Sequence, residues 1–366
     1  MSEVLLARYA ECIFWLARYV ERAENLARIL EVNETFSRDS RGDQNWQSIV
    51  SLHADEEAFY ARHSEATAKS VLRFYVSDAD NASSIVSAIH NARENARALR
   101  PLISTEMWVQ LNVFQNRLSA INQADLAPER LADLFREIKE ACQTHTGITE
   151  GTFYRDQGWC FYQLGRYIER ADQTTRLLDI KYHVLLPHGA EDVGSPIDMG
   201  QWNALLRSAA GYHAYRRQHP RGIAPSRVAG FLLLNPGFPR SVFLCVQEVE
   251  TLLTELKRKH GLRGGVAAAE ELDWLRALLG SLTVTEILRQ GLHEFLDLIQ
   301  SHLIAITRDL SASFFGIGPP QGSQSQSQSQ SQGQSQGQSP SQSQDGFQSQ
   351  SQSQSQGQYK MPGSMC

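Results

Sequence analysis

Signatures of catalysis and cofactor binding are missing from this sequence. It has no HExxH, no phosphate-cradling GxxxxGK[ST] loop, no GxSxG nucleophile elbow and no GxGxxG in a strand–helix context. No Glu is followed three residues later by His, which removes the Glu-x-x-His pairs of a di-metal carboxylate bundle. Cysteine is scarce. The five residues Cys12, Cys142, Cys160, Cys245 and Cys366 form no CxxC pair. That odd, unpatterned set suits a reducing compartment rather than a disulfide framework, and the first four, in apolar helical contexts, read as small core residues. No excess of positive charge is present either. A formal net charge of −5 without a basic tract argues against a general nucleic-acid binder.

Long hydrophobic runs are also absent. The opening segment MSEVLLARYAECIFWLARYVERAENLAR is interrupted by Arg8, Glu11, Arg18 and Glu21 and has no basic leader or small-residue cleavage site. It reads as an amphipathic helix, neither signal peptide nor membrane span, so a cytoplasmic protein with no membrane partner is expected. Period-two alternation is missing as well, which disfavours nucleotide folds built on parallel strands.

What is present is helical periodicity with apolar residues at i, i+3, i+4 and i+7. The first helix is expected over about residues 3–31. Further helices are expected in SIVSAIHNARENARAL, MWVQLNVFQNRLSAI, LADLFREIKEACQTHTGI, WCFYQLGRYIERADQTTRLLDIKYHVLL, MGQWNALLRSAAGYHAYRRQ, SRVAGFLLL, RSVFLCVQEVETLLTELKRK and AAEELDWLRALLG, with one closing helix over 284–314. Ser195-Pro196-Ile197-Asp198 reads as a capping box with Pro at the first helical position. LNPGFPRS ends one helix and opens the next. Asp78, Asn81 and Ser83 supply N-cap chemistry for the helix that follows them. The expected class is an all-α multi-helix bundle over 1–316, with two pseudo-repeated core helices. Residues 317–366 form a Ser/Gln-rich tail that has too little apolar surface to offset chain entropy and is expected to be disordered. It reads as a solubilising segment or as a polar tether, with Cys366 available for crosslinking.

The most specific feature is a phrase written twice. RYVERAENLAR from Arg18 returns as RYIERADQTTR from Arg166, an offset of 148 residues. At about 100° per residue, Arg18, Glu21, Arg22, Asn25 and Arg28 share an arc of about 120°. Phe14 and Ile29 project from the same arc, and Tyr162 and Leu177 take those places in the second copy. Charges ringed by large apolar side chains imply a face at least partly withdrawn from water. The second copy matches with Arg166, Glu169, Arg170 and Arg176; Glu24 and Asp172 lie just outside the arc, and Tyr167 belongs to the same phrase. Arginine suits bidentate pairing with carboxylate or phosphate. If the helices pack about a pseudo-twofold axis, each Arg could meet the other copy's carboxylate. Three readings follow: an internal salt-bridge network, a ligand or catalytic site, or a solvated surface. ARENARALRP offers a fainter echo in Arg93, Glu94 and Arg97, for which pairing along one helix is a sufficient account. Asp179 and His183 have one-turn spacing, but a lone pair is a weak metal signal, so neither metal nor cofactor is expected. His90 and His293 read as satisfied or exposed histidines. Arg216, Arg217 and Arg221 read as a solvated helix end or an acidic-partner patch.

WLARYVERAENLAR, SDADNASSIVSAIHNARENARALRPLISTEMW, GWCFYQLGRYIERAD, LLRSAAGYHAYRR and VAGFLLLNPGFPRSVFLCV, in that order, resemble the bacterial alpha-E domain family over about residues 5–314. Gln163 stands where the first copy has Trp15, a departure from strict twofold symmetry. The family is all-helical and of unknown function. It is typically encoded beside, or fused to, a circularly permuted ATP-grasp protein, often with a transglutaminase-like cysteine peptidase. ATP-grasp enzymes join a carboxylate to an amine through an acyl phosphate. The resemblance therefore implies an accessory or scaffold part in an amide- or peptide-ligating system. The alternative is an enzyme or substrate-binding component that uses the Arg/Glu cluster.

Overall fold

A computed structural model describes residues 5–39, 46–185 and 196–316, and among these there are helices and no strand. The expected Ser/Gln tail with Cys366, the Ser195 end of the capping box and the His183 side chain lie outside what is described. Among the described residues no helix is long and apolar enough to cross a membrane.

The first helix, α1 (Ala7–Asp39), runs a further two turns beyond the expected end. It is the axis of the fold. From Ala10 to Leu30 most side chains are buried, the charged Arg18, Glu21, Glu24 and Arg28 among them. An amphipathic surface helix would keep one wet face; this one is surrounded. After it come three short helices, α2 (Gln47–Leu52), α3 (Glu56–Tyr60) and α4 (Ala68–Leu72), in a stretch without long apolar periodicity. A π-helical turn over Arg73–Ser77 follows. The next helix, α5 (Ile85–Ala98), is capped by Ser84, whose hydroxyl accepts from the Ser87 N–H at 3.1 Å. Asp78 and Asn81 instead shape the loop: Asn81 accepts from the Ser83 N–H and donates to the Phe74 carbonyl.

Helix α6 (Thr105–Ser119) is capped by Ser104, and α7 (Pro128–Thr152) opens on a proline that needs no N–H partner there. The second copy of the repeated phrase lies on α8 (Gln157–Leu185). Two expected helices are divided. MGQWNALLRSAAGYHAYRRQ becomes α9 (Pro196–Ser208) and α10 (Tyr212–Gln218), with Ala210 at φ 55° between them. Next are α11 (Pro225–Leu234), α12 (Val242–Arg258) and α13 (Val266–Ser281). The expected closing helix is split into α14 (Val284–Gln290) and α15 (Leu292–Phe314) by Gly291 at φ 111°. A left-handed residue cannot continue a right-handed helix, and glycine adopts that conformation without steric cost.

Helix α1 packs against α5, α7, α8, α9 and α15, and α8 also packs against α12. The α1–α8 crossing is close because Gly165 lies on the Phe14 backbone, where a Cβ would overlap the Phe14 carbonyl oxygen. The repeat mate of Gly165 is Ala17, which is also small and buried. Small residues at the crossing bring the two repeated phrases face to face. Cys12, Cys142, Cys160 and Cys245 are all buried.

Candidate functional site

The two phrases exchange partners across the α1–α8 crossing. Arg22 donates from Nε to Glu169 Oε1 at 2.6 Å and from Nη2 to Oε2 at 3.0 Å. Arg170 donates from Nε to Glu21 Oε1 and from Nη2 to Oε2, both at 2.8 Å. Each pair is bidentate, which adds direction to charge. The aromatic neighbours repeat as well: Arg22 lies over Tyr19 at 5.8 Å and Arg170 over Tyr167 at 5.8 Å. One helical turn on, Arg28 Nη2 reaches Glu24 at 2.6 Å, and Arg176 Nε reaches Asp172 at 2.9 Å.

Burial makes these pairs matter. The Glu169 side chain is 0% exposed and that of Glu21 3% exposed. Burial alone would raise the Glu169 pKa, but Arg22 and Arg18 overcome it and hold the carboxyl at about 2. For Glu21, Arg170 and Arg240 likewise overcome burial and hold the carboxyl well below its ordinary value. Both are fixed carboxylates. A buried ion without its partner is costly, so the network holds the helices in one register.

The symmetry breaks at the first arginine of each copy. Arg18 stacks on Trp15 at 4.9 Å and donates to Glu169 at 2.7 Å. Arg166 instead donates to Glu150 at 2.9 Å and to Gln163 at 3.2 Å. Gln163 is the residue in the place of Trp15, and a polar side chain there draws Arg166 aside. On that half of the network a residue from another element completes the set. Arg240, between the α11–α12 turn and α12, donates to Glu21 at 2.9 Å, Asn25 at 3.0 Å and Glu24 at 2.6 Å. Periodicity does not reveal Arg240. Its one local signal is a cation immediately before the Ser241 cap of α12, where the helix dipole disfavours positive charge. Glu24, which the wheel puts outside the arc, is buried and central, because Arg240 and Arg28 both reach it.

Arg93, Glu94 and Arg97 form a separate grouping. Arg93 donates to Asn112 at 2.7 Å and pairs with Glu94 at 2.5 Å, and Arg97 pairs with Glu94 at 3.1 Å. Trp108 on α6 lies beneath Arg93 at 5.4 Å. Asp179 meets His293 at 2.9 Å, so that histidine is satisfied. Arg216 bonds the Tyr212 hydroxyl on its own helix at 3.2 Å. Among the described residues, two groups of ligand-type side chains have their donor atoms within 4.8 Å of one another: Cys160, Glu255 and His260, and Asp179, His293 and Asp297. In each a carboxylate already has a partner, Lys259 for Glu255 and His293 for Asp179. Burial pushes the Cys160 thiol up to about 12, so it is protonated near neutral pH.

Beside the Arg22–Glu169 pair lies a pocket of about 140 Å³. Its wall includes Asp172, Gln173 and Arg176 from α8, Leu26 from α1, and His53 and Ser83 from the short-helix region. Arg176 Nη1 donates to the Leu52 carbonyl at 2.7 Å, which ties α8 to the end of α2 and sets His53 at the pocket. Two buried polar atoms here have no partner, Gln173 Oε1 and His53 Nε2. Burial, with Arg176 and Arg22 nearby, lowers His53 to about 3, so the ring is neutral at pH 7. His53 and Gln173 are absent from the sequence-based set. Gln173 was legible as the repeat mate of Asn25, whereas nothing local marks His53.

Residues 5–315 match a family described as "Alpha-E: A predicted alpha-helical domain with a conserved ER motif". The chain belongs to the Alpha-E family. Its Glu21-Arg22 and Glu169-Arg170 dipeptides, which bind one another here, fit that description. This Alpha-E chain is similar to an uncharacterized protein of Mycobacterium bovis, 25% identical over 290 residues, which cover 73% of this chain and 31% of the relative. It is also similar to an uncharacterized protein of Mycobacterium tuberculosis, 24% identical with the same coverage. The Alpha-E chain thus spans about a third of the length of the curated relatives it matches. No solved structure matches it.

Proposed function

We propose that the chain is a helical accessory subunit of an ATP-grasp-type amide- or peptide-ligating system. Its partners are a circularly permuted ATP-grasp protein and, where present, a transglutaminase-like cysteine peptidase. The observation that carries this reading is the size of the mycobacterial relatives. There the matched region is 31% of the chain, so the Alpha-E region is joined to a larger body of other sequence. The chemistry of the repeat agrees with a supporting role. Glu21 and Glu169 are held as carboxylates by two arginines each, whereas a general base for neutral pH needs a pKa near the operating pH. A rigid, cross-braced frame suits a subunit that positions others.

Co-expression with the ATP-grasp protein encoded nearest the gene, followed by affinity capture and size-exclusion chromatography, tests this. A stoichiometric complex is the expected result. Separate elution at low salt, with both proteins folded, refutes the accessory role. A second reading, a substrate-binding component, is favoured by the pocket beside Glu169 and its two unpartnered polar atoms.

A further inference from the structure

Arg240 and the pocket stand in the same relation to the two repeated helices. Around Arg240, α1 contributes Glu21, Glu24, Asn25 and Arg28, and α8 contributes Arg170 and Thr174. The repeat offset carries the four α1 residues onto Glu169, Asp172, Gln173 and Arg176. It carries the two α8 residues back onto Arg22 and Leu26. Those six residues are the whole contribution of α1 and α8 to the pocket wall. In one half of the molecule the position is filled by a guanidinium from the chain itself; in the other it is a pocket. We propose that this pocket binds the guanidinium group of a ligand, held by Asp172 and Gln173 as Arg240 is held by Glu24 and Asn25, while Glu169 keeps its own two arginines, Arg22 and Arg18. This inference is independent of any ligase partnership.

Two of the three acceptors of Arg240 have an available mate in the pocket; the third, Glu21, does not, because its mate Glu169 already accepts from Arg18 and Arg22. Asn25 Oδ1 accepts from Arg240 Nη1 at 3.0 Å, and its mate Gln173 is 4% exposed with Oε1 unpartnered. An orphaned buried carbonyl calls for an N–H donor. Glu24 accepts from Arg240 Nη2 at 2.6 Å, and its mate Asp172 carries a carboxylate on a side chain one methylene shorter. That shortening recesses the carboxylate and leaves room. A volume of about 140 Å³ is ample for a planar group of four heavy atoms, given roughly 30 Å³ per liquid water.

The arginines in the wall do not require an anion. Arg22 and Arg176 are the mates of Arg170 and Arg28, which stand beside Arg240 in the same way. Each is already turned to a carboxylate, Arg22 to Glu169 at 2.6 Å and Arg176 to Asp172 at 2.9 Å. His53, on the outer side, is neutral near pH 7 and adds no repulsion to a cation.

The test is calorimetric titration of the full chain with agmatine, L-arginine and a Gly-Arg-Gly amide. L-citrulline is the neutral isostere, and acetate and phosphate are the anion probes. The His53 ring signals in NMR report occupancy of the pocket. Agmatine is expected to bind and to move the His53 signals, with citrulline at least about tenfold weaker, the worth of one charged hydrogen bond. Stronger binding of the tripeptide than of agmatine assigns a peptide source, and the reverse assigns a free small molecule. Asp172→Asn is expected to weaken agmatine by about tenfold with helical content retained. Gln173→Met provides the same test should Asp172→Asn not fold. No heat and no movement of His53 up to roughly 10 mM agmatine overturns the proposal, as does a pocket response to acetate or phosphate alone.

Discussion

Replacing Glu21 with Gln tests the cross-brace most directly. The substitution keeps size but removes the charge that Arg170 and Arg240 share and turns one of the two acceptor oxygens into a donor NH2. Their side chains are only 6% and 11% exposed, so neither reaches bulk water without moving the helices apart. Breaking a buried pair by removing one partner costs about 3–5 kcal/mol, because the remaining charge stays desolvated. The Gln carbonyl retains one acceptor for Arg170, and Glu24 still holds Arg240 at 2.6 Å, so a loss of about 3 kcal/mol is expected. With a urea slope of about 3 kcal/mol/M, the midpoint falls by about 1 M without a change of slope. Urea is the denaturant because it is uncharged and does not screen ion pairs. A cycle with Arg170→Gln measures the pair itself, with an expected coupling of about 1–3 kcal/mol. A midpoint shift under about 0.3 M, or a coupling near zero, would show that the Glu21–Arg170 contact is not what holds the helices.

Gly165→Ala forces a Cβ onto the Phe14 carbonyl and should cost about 1–3 kcal/mol; a stabilised variant in the same urea assay contradicts the close crossing. Stability should fall on acidification in two stages. His53, at about 3 in the fold against about 6.5 unfolded, contributes stability that is full above pH 6.5 and drains away as pH falls towards 3. Glu169, at about 2 against about 4.3 unfolded, adds a second loss below pH 4.3. Urea midpoints between pH 7 and pH 3 read both stages. His53→Gln should shrink the first, whose remainder comes from His145, lowered to about 4 by burial, and an unchanged profile in that variant refutes the assignment.

Much of the chain could be read from local pattern. Helical periodicity located the long elements because burial of one face repeats along the chain every few residues. The doubled Arg-Tyr-x-Glu-Arg phrase marked two equivalent charged faces between apolar brackets, with an internal ion-pair network as one of three readings, and the structure pairs Arg22 with Glu169 and Arg170 with Glu21. The breaks at Ala210 and Gly291 are not marked by the helical periodicity. The apolar pattern continues across both, and only the backbone dihedral ends the helix.

The sequence alone determined an all-helical chain with two equivalent charged phrases, because helix propensity, periodicity and the offset of 148 are local or repeated facts. The tertiary structure decided how that equivalence was resolved. It brought Arg240 onto one half of the network and His53 beside the other, from segments far away in the chain. Contacts between such segments depend on how helices cross, which no local pattern encodes. The same crossing that seals Glu21 with Arg240 leaves a pocket at Gln173, and there the two halves of the repeat differ in chemistry.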